Sequence, residues 1–347
     1  MDLGSKIKKL RLRAGLTQEM VAEQLGVSFQ TISKWENDVC APDISMLPKL
    51  SVYFGVTIDE LFDLTTEQRL HRIDNMLEME QELPHNTFME TAEYLQGLLE
   101  TEKDQARIYN FLAHLYYHRV LSDCEKVDKY AMKSMQLRPD VKNCQWLLEK
   151  TQGAATVDWN IRNHHKVIRF YKELIKNNPK VARNYLDLMD NLLADNRTKE
   201  AREYLSAYKQ LDDHRPFQVL VYEGRIALTE HNPILADEKF QELEMRFAGD
   251  GSAMFEMANY YADQCQYEKA LAYYQKSFDL DKENGQKPIY TDALHGMAII
   301  YEILGNYQKA MECYDEMLLL LETEFGYTEG EPIRNVMEEK QRLMNMK

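Results

Sequence analysis

Glycine and proline are scarce, 14 and 9 among 347 residues, and tight turns are correspondingly few. That shortage argues against strand-and-turn architectures and, with many straight-chain residues, points to an all-α chain. Long apolar runs are missing as well. The longest, Met317 to Leu321, is five residues, where a bilayer span needs roughly 20. The basic start, MDLGSKIKKLRLRAG, lacks the apolar stretch of a signal peptide. The five cysteines (Cys40, Cys124, Cys144, Cys265, Cys313) are scattered and odd in number, with no pair at metal-ligand spacing. A soluble cytoplasmic protein with reduced thiols is expected, without a membrane partner. Gly-rich phosphate loops, GxSxG elbows and HExxH helices are also absent. His164 and His165 are adjacent, so they point to different helix faces and cannot form an i,i+4 ligand pair. Neither enzyme activity, nor a metal, nor a cofactor is expected.

Hydrophobic residues make up 44% of the chain, enough for a sizeable core, and the length suits two or three domains. The formal charge of −15 is unevenly spread. Residues 1–35 hold six basic and three acidic groups; residues 65–347 hold 35 basic and 48 acidic. A basic cap can approach phosphates, and an acidic body is repelled by them.

Helix punctuation is dense in the first 64 residues. Ser5 is read as the cap of a first helix carrying Ile7 and Leu10 inward, stopped by Gly15. Thr17 caps a second helix with Val21, Ala22 and Leu25 buried and Gly26 at its end. Ser28 caps a third, carrying Ile32 and Trp35 inward. Pro42 and Asp43 open a fourth through Leu47, Leu50 and Phe54, ended by Gly55. Thr57 and Glu60 have capping-box spacing before a short fifth helix. Only Gly26, Val27 and Ser28 separate the second and third helices, which is helix-turn-helix spacing.

The stretch LTQEMVAEQLGVSFQTISKWEN, followed by CAPDISMLPKLSVYFGVTIDELF, resembles the phage-repressor/Cro-type (XRE) helix-turn-helix family over residues 5–63. Asp38 stands where the family often has glycine, and Asp tolerates left-handed backbone better than most residues. The resemblance implies a DNA-binding domain over residues 1–64 that acts as a dimer on a two-fold-related operator of double-stranded DNA. By position, it implies that Gln18 contacts a phosphate and that Ser28, Phe29, Gln30 and Lys34 face base edges. Gln30 suits adenine N6/N7, Lys34 suits guanine O6/N7, and Phe29 either touches a thymine methyl or packs under the second helix. Thr31 and Ser33 are read as phosphate or rim contacts. Arg11 and Arg13 either reach backbone phosphates or form a solvated face.

From residue 65 onward the chain repeats. Ala201, Ala236, Ala270 and Ala310 fall 35, 34 and 40 residues apart, each followed four residues later by Leu205, Phe240, Tyr274 and Tyr314. Backwards, Val167, Tyr171 and Pro179, then Val127, Ala131 and Pro139, keep the same offsets. The long interval reflects an insertion around Asn284 to Tyr290. The segments MFEMANYYADQCQYEKALAYYQKSFDL and LHGMAIIYEILGNYQKAMECYDEM are the clearest copies. Gly305 holds the turn in the second, and Cys265 replaces it in the first.

This period and its small/aromatic/Pro pattern resemble the tetratricopeptide repeat (TPR) family. The expected architecture is a connecting helix over residues 65–82 and a TPR-like α-solenoid of six to seven helix pairs over residues 83–347. Such solenoids offer a groove lined by the first helix of each pair. In this register Arg183, Leu186, Asp190, Gln218, Val221, Arg225, Phe255, Asn259, Asp292, His295 and Glu302 point into it. Mixed charge, amide and apolar groups suit an extended peptide.

The combination resembles Gram-positive quorum-sensing regulators that bind short signalling peptides. Its implication is a DNA-binding transcriptional regulator whose repeat domain binds a peptide or protein effector, mediates homodimerisation, or both. The alternative is a protein-interaction scaffold tethered to DNA, with no small effector.

Overall fold

The structure, a computed structural model, describes residues 3–62, 64–140, 142–152 and 162–346. Among these residues every regular element is helical. The chain divides into two compact units, Met1–Tyr117 and His118–Lys347.

The first unit opens with α1 (Leu3–Arg13), α2 (Gln18–Leu25) and α3 (Phe29–Glu36). A 3-10 turn (Ile44–Met46), α4 (Leu47–Phe54) and α5 (Ile58–Leu61) follow. Ile7, Val21, Ala22, Leu25, Ile32, Trp35, Leu50 and Leu61 form one shared core. The caps lie where local chemistry puts them. Thr17 accepts from the Met20 N–H, Ser28 from the Thr31 N–H and Asp43 from the Ser45 N–H. The Thr57 and Glu60 side chains bond each other's backbone N–H. Ser5 is a correction: α1 already begins at Leu3, so Ser5 lies inside the helix. The N-terminal anchor is Asp38, whose Oδ1 accepts the Gly4 N–H at 3.0 Å. Asp38 is left-handed, with φ 53°. Gly4 is required there, since an added Cβ would stand 1.8 Å from the Trp35 carbonyl oxygen.

Next come α6 (Thr66–Met79), started by a complete Thr65/Gln68 capping box, and α7 (His85–Leu98). Leu70, Ile73, Phe88, Ala92 and Leu95 pack with Ile108 and Leu115 of α8 (Gln105–Leu137). This last helix is 33 residues long because no glycine or proline interrupts it. Its turns up to Tyr117 belong to the first unit and the rest to the second.

The second unit continues through α9 (Lys142–Thr151) and α10 (His165–Asn177). The described residues then hold four consecutive helix pairs: α11 (Ala182–Ala194) with α12 (Thr198–Tyr208), α13 (Pro216–Thr229) with α14 (Pro233–Phe247), α15 (Gly251–Asp263) with α16 (Tyr267–Glu283), and α17 (Asp292–Ile303) with α18 (Tyr307–Phe325). A final helix, α19 (Glu331–Met344), closes the series. Ala201, Ala236, Ala270 and Ala310 are fully buried on the second helix of each pair, with Leu205, Phe240, Tyr274 and Tyr314 buried one turn later. Stacking pairs hides faces that a single pair would leave wet. Tyr274 shows how closely they fit: a Cβ on Gly296 of the next pair would sit 2.6 Å from its ring.

Each pair turns through one left-handed residue, five positions before the buried alanine. These are Asn196 (φ 58°), His231 (φ 59°), Cys265 (φ 56°) and Gly305 (φ 72°). The turn geometry therefore repeats even where the residue type does not.

Candidate functional site

In the first unit the candidate nucleic-acid surface is the outer face of α3. Ile32 and Trp35 are buried, which fixes the helix's rotation and sends Gln30 and Lys34, one turn apart, outward. Both are exposed, and Phe29 is half exposed rather than tucked under α2. Ser28 uses its hydroxyl to cap the helix and lies 2.9 Å from the Thr31 hydroxyl. Ser33 is half-buried; its carbonyl oxygen accepts the Asn37 side-chain amide at 2.7 Å. Among the basic residues of α1, Lys8, Lys9 and Arg13 are exposed.

Arg11 behaves otherwise and corrects the expectation of a phosphate contact. Its guanidinium is buried, with Nε on Glu36 Oε1 at 2.5 Å and Nη2 on Glu36 Oε2 at 2.8 Å. Nη1 donates to the Leu16 carbonyl at 2.9 Å. A guanidinium so enclosed cannot reach a phosphate; it ties α1 to the end of α3. Glu36 also accepts Gln18 Nε2 at 2.8 Å. Burial pushes the Glu36 carboxyl up, but the hydrogen bonds from Arg11 and Gln18 and the Arg11 charge outweigh it and hold the group below its ordinary value. Gln18 is thus oriented at the first turn of α2, where helix N–H groups lack intrahelical partners and favour an anion. Sequence reasoning missed Glu36, whose only signal was its place at the end of α3.

In the second unit the groove residues fall on four first helices, α11, α13, α15 and α17. Arg225 Nη1 on α13 meets Asp190 Oδ1 on α11 at 2.7 Å. Tyr222 Oη donates to the same oxygen at 2.8 Å, and burial beside this carboxylate holds its phenol far above the ordinary value. Gln218 on α13 donates to Glu256 Oε1 on α15 at 3.4 Å. Asn259 accepts Tyr274 Oη at 2.6 Å.

Two cavities open beside these groups. One, of about 410 Å³, is lined by Val221, Arg225, Glu256, Asn259, Asp263 and Tyr274, among others. The second, of about 510 Å³, includes Arg215, Gln218, Phe255, Glu256, Asp281 and Asp292 in its wall. Glu256 is common to both.

Arg183, Leu186, His295 and Glu302 are placed apart from these cavities. Arg183 is exposed and pairs with Asp187 on its own helix. His295 is exposed and lines neither cavity. Glu302 is held by Arg342 of α19 at 2.6 Å. Leu186 packs against the core, and Val221 is buried while forming cavity wall. Glu256 and Asp263 were not singled out from the sequence. They share a helix stripe with Asn259 at i, i+3 and i+7, a spacing that could have found them.

His164 accounts for one half of the adjacent pair: its Nδ1 lies 2.8 Å from Asp195 Oδ1, next to the start of α10. No group of three or more His, Cys, Asp or Glu among the described residues could hold a metal. No helix among them is long and apolar enough to cross a membrane.

Residues 7–61 match the helix-turn-helix family, and residues 251–321 match the tetratricopeptide repeat family. The transcriptional activator BcrR of Enterococcus faecalis is 48% identical over 61 residues, 18% of this chain and 30% of BcrR. The uncharacterized regulator MJ0272 of Methanocaldococcus jannaschii is 40% identical over 58 residues, 17% of this chain and 88% of MJ0272. The chain thus spans about a third to a half of the first curated relatives it matches, BcrR and the Bacillus subtilis regulator ImmR. Among solved structures, Bacillus thuringiensis PlcR in complex with the peptide PapR7 and DNA aligns over 99% of both chains at 14% identity, with a TM-score of 0.28.

Proposed function

Because this chain belongs to the family of helix-turn-helix transcriptional regulators, we propose that it binds operator DNA sequence-specifically through α3. The observation that carries this reading is the outward placement of Gln30 and Lys34 on a helix locked by Ile32 and Trp35. Gln30 pairs with adenine N6/N7 and Lys34 donates to guanine O6/N7. Phe29 meets a thymine methyl. Arg13, Gln18, Ser28, Thr31 and Ser33 contact the backbone and rim. A homodimer presents two copies of α3 to half-sites about one DNA turn, roughly 34–36 Å, apart.

The repeat unit takes an effector peptide between α11, α13 and α15, at Asp190, Arg225, Phe255 and Asn259. Half-buried amides, an aromatic edge and cavity space support this reading, because an extended peptide needs backbone partners and side-chain pockets. Binding alters dimer packing and so the spacing of the two recognition helices. Such coupling requires unequal affinity for the two states.

Selection of duplexes from a random pool by the full chain tests the DNA reading. A convergent two-fold sequence is expected. Gln30→Ala and Lys34→Ala should each relax one position of it and cost about 1–3 kcal/mol of discrimination. A pool that emerges unenriched, or an unchanged preference in both variants, overturns it.

A further inference from the structure

Several partly buried carboxylates of the second unit have cationic partners. Glu200 pairs with Arg197, Glu223 with Lys209 and Lys239, Glu230 with Arg202, and Glu316 with Lys282. The carboxylates that line the two cavities differ. Among the described residues, Glu256, Asp263, Asp281 and Asp292 have no Lys, Arg or His nitrogen within 4.0 Å. They outnumber the guanidiniums in those walls, Arg215 and Arg225, two to one, and Arg225 is already engaged by Asp190. Loss of water holds Glu256, Asp263 and Asp281 above the ordinary carboxylate range. The Arg225 charge offsets this only in part at Glu256 and Asp263, and a ligand cation held directly against an under-compensated, partly dehydrated anion lowers the remaining cost.

The aromatic and amide groups beside these carboxylates set the rest of the ligand's character. Phe255, Tyr274 and Tyr290 give apolar wall, while Gln218, Asn259 and Gln286 give amides. Glu256 stands where both cavities meet, so one group placed there is reached from either side.

We propose that the effector peptide carries a basic side chain, and that its ammonium or guanidinium is received at the junction of the two cavities by Glu256, with Asp263 and Asp281 on either side. This rests on the reading that the groove takes a peptide. Glu256 is then the residue that discriminates cationic from anionic peptides, by complementary charge in a partly dehydrated site.

The test is selection of a displayed random heptapeptide library on the full-length protein, in parallel with Glu256→Gln and, as a charge-matched control, Glu316→Gln. Wild-type protein should yield a convergent sequence with Lys or Arg at one position. A synthetic peptide of that sequence should bind Glu256→Gln at least about 30-fold more weakly, the lower end of the loss expected for one buried charge partner, and bind Glu316→Gln as it binds wild type. Convergence on neutral or acidic peptides overturns the cation inference and leaves the peptide groove standing. Equal affinity of the basic peptide for wild type and Glu256→Gln does the same, assigning the preference to overall negative charge. Failure of any sequence to converge overturns both readings.

Discussion

Arg11 and Glu36, 25 residues apart, form a two-point ion pair in the interior of the helix-turn-helix bundle, with side chains 10% and 1% exposed. This pair converts an arginine of the basic first helix from a DNA ligand into a structural tie. Through Glu36 it also orients Gln18, so folding and the DNA-facing surface share one carboxylate.

Arg11→Ala should therefore cost stability rather than DNA contacts. Removing one member of a buried pair strands the other, a loss of about 3–5 kcal/mol. Urea unfolding of the full chain, followed on the first unit's Trp35, measures it. Arg13→Ala should leave stability within about 0.5 kcal/mol. If Arg13 meets a phosphate, the same change lowers the salt slope of DNA binding by about 1. An Arg11→Ala protein of normal stability and reduced salt slope would reverse these assignments.

Acid should loosen the same bundle. The folded-state Glu36 carboxyl lies below its ordinary value, so the unfolded chain binds that proton more readily. Its contribution is complete above the unfolded value of about 4.3 and fades as pH falls through the lower folded value. Denaturation from about pH 7 to about pH 3 should show the stability gap between wild type and Glu36→Gln narrowing on the acid side. A gap independent of pH would show that Glu36 is not ionised in the fold.

The repeat turns offer a stabilising change. Cys265 is exposed and left-handed at φ 56°, at the position where Gly305 serves the next pair. Cys265→Gly should raise stability by about 0.5–1 kcal/mol, the left-handed penalty less the added chain entropy of glycine. Thermal and urea unfolding check the sign; a less stable variant would mean that the Cys265 side chain contributes more than its backbone costs.

What could be read along the chain was what neighbours decide. Thr17, Ser28 and the Thr57/Glu60 box cap helices because each bonds an N–H within three residues. Ala201, Ala236, Ala270 and Ala310 announce their burial by recurrence, since each meets the same surroundings in its own pair. The outward face of α3 followed from the 3.6-residue turn, with Ile32 and Trp35 as its inner side. Ser5 misled because Asp38, remote in sequence, anchors α1 instead.

Tertiary structure alone decided which charges are free. Nothing adjacent to Arg11 distinguishes it from Arg13; a carboxylate 25 residues away does. Asp190 and Arg225 likewise meet across 35 residues, while Glu256 takes the Gln218 amide and is left without an ion pair of its own. Backbone preference and capping act over a single turn of chain. The cost of dehydrating a charge depends on whatever packing brings beside it, and only the assembled helices determine that.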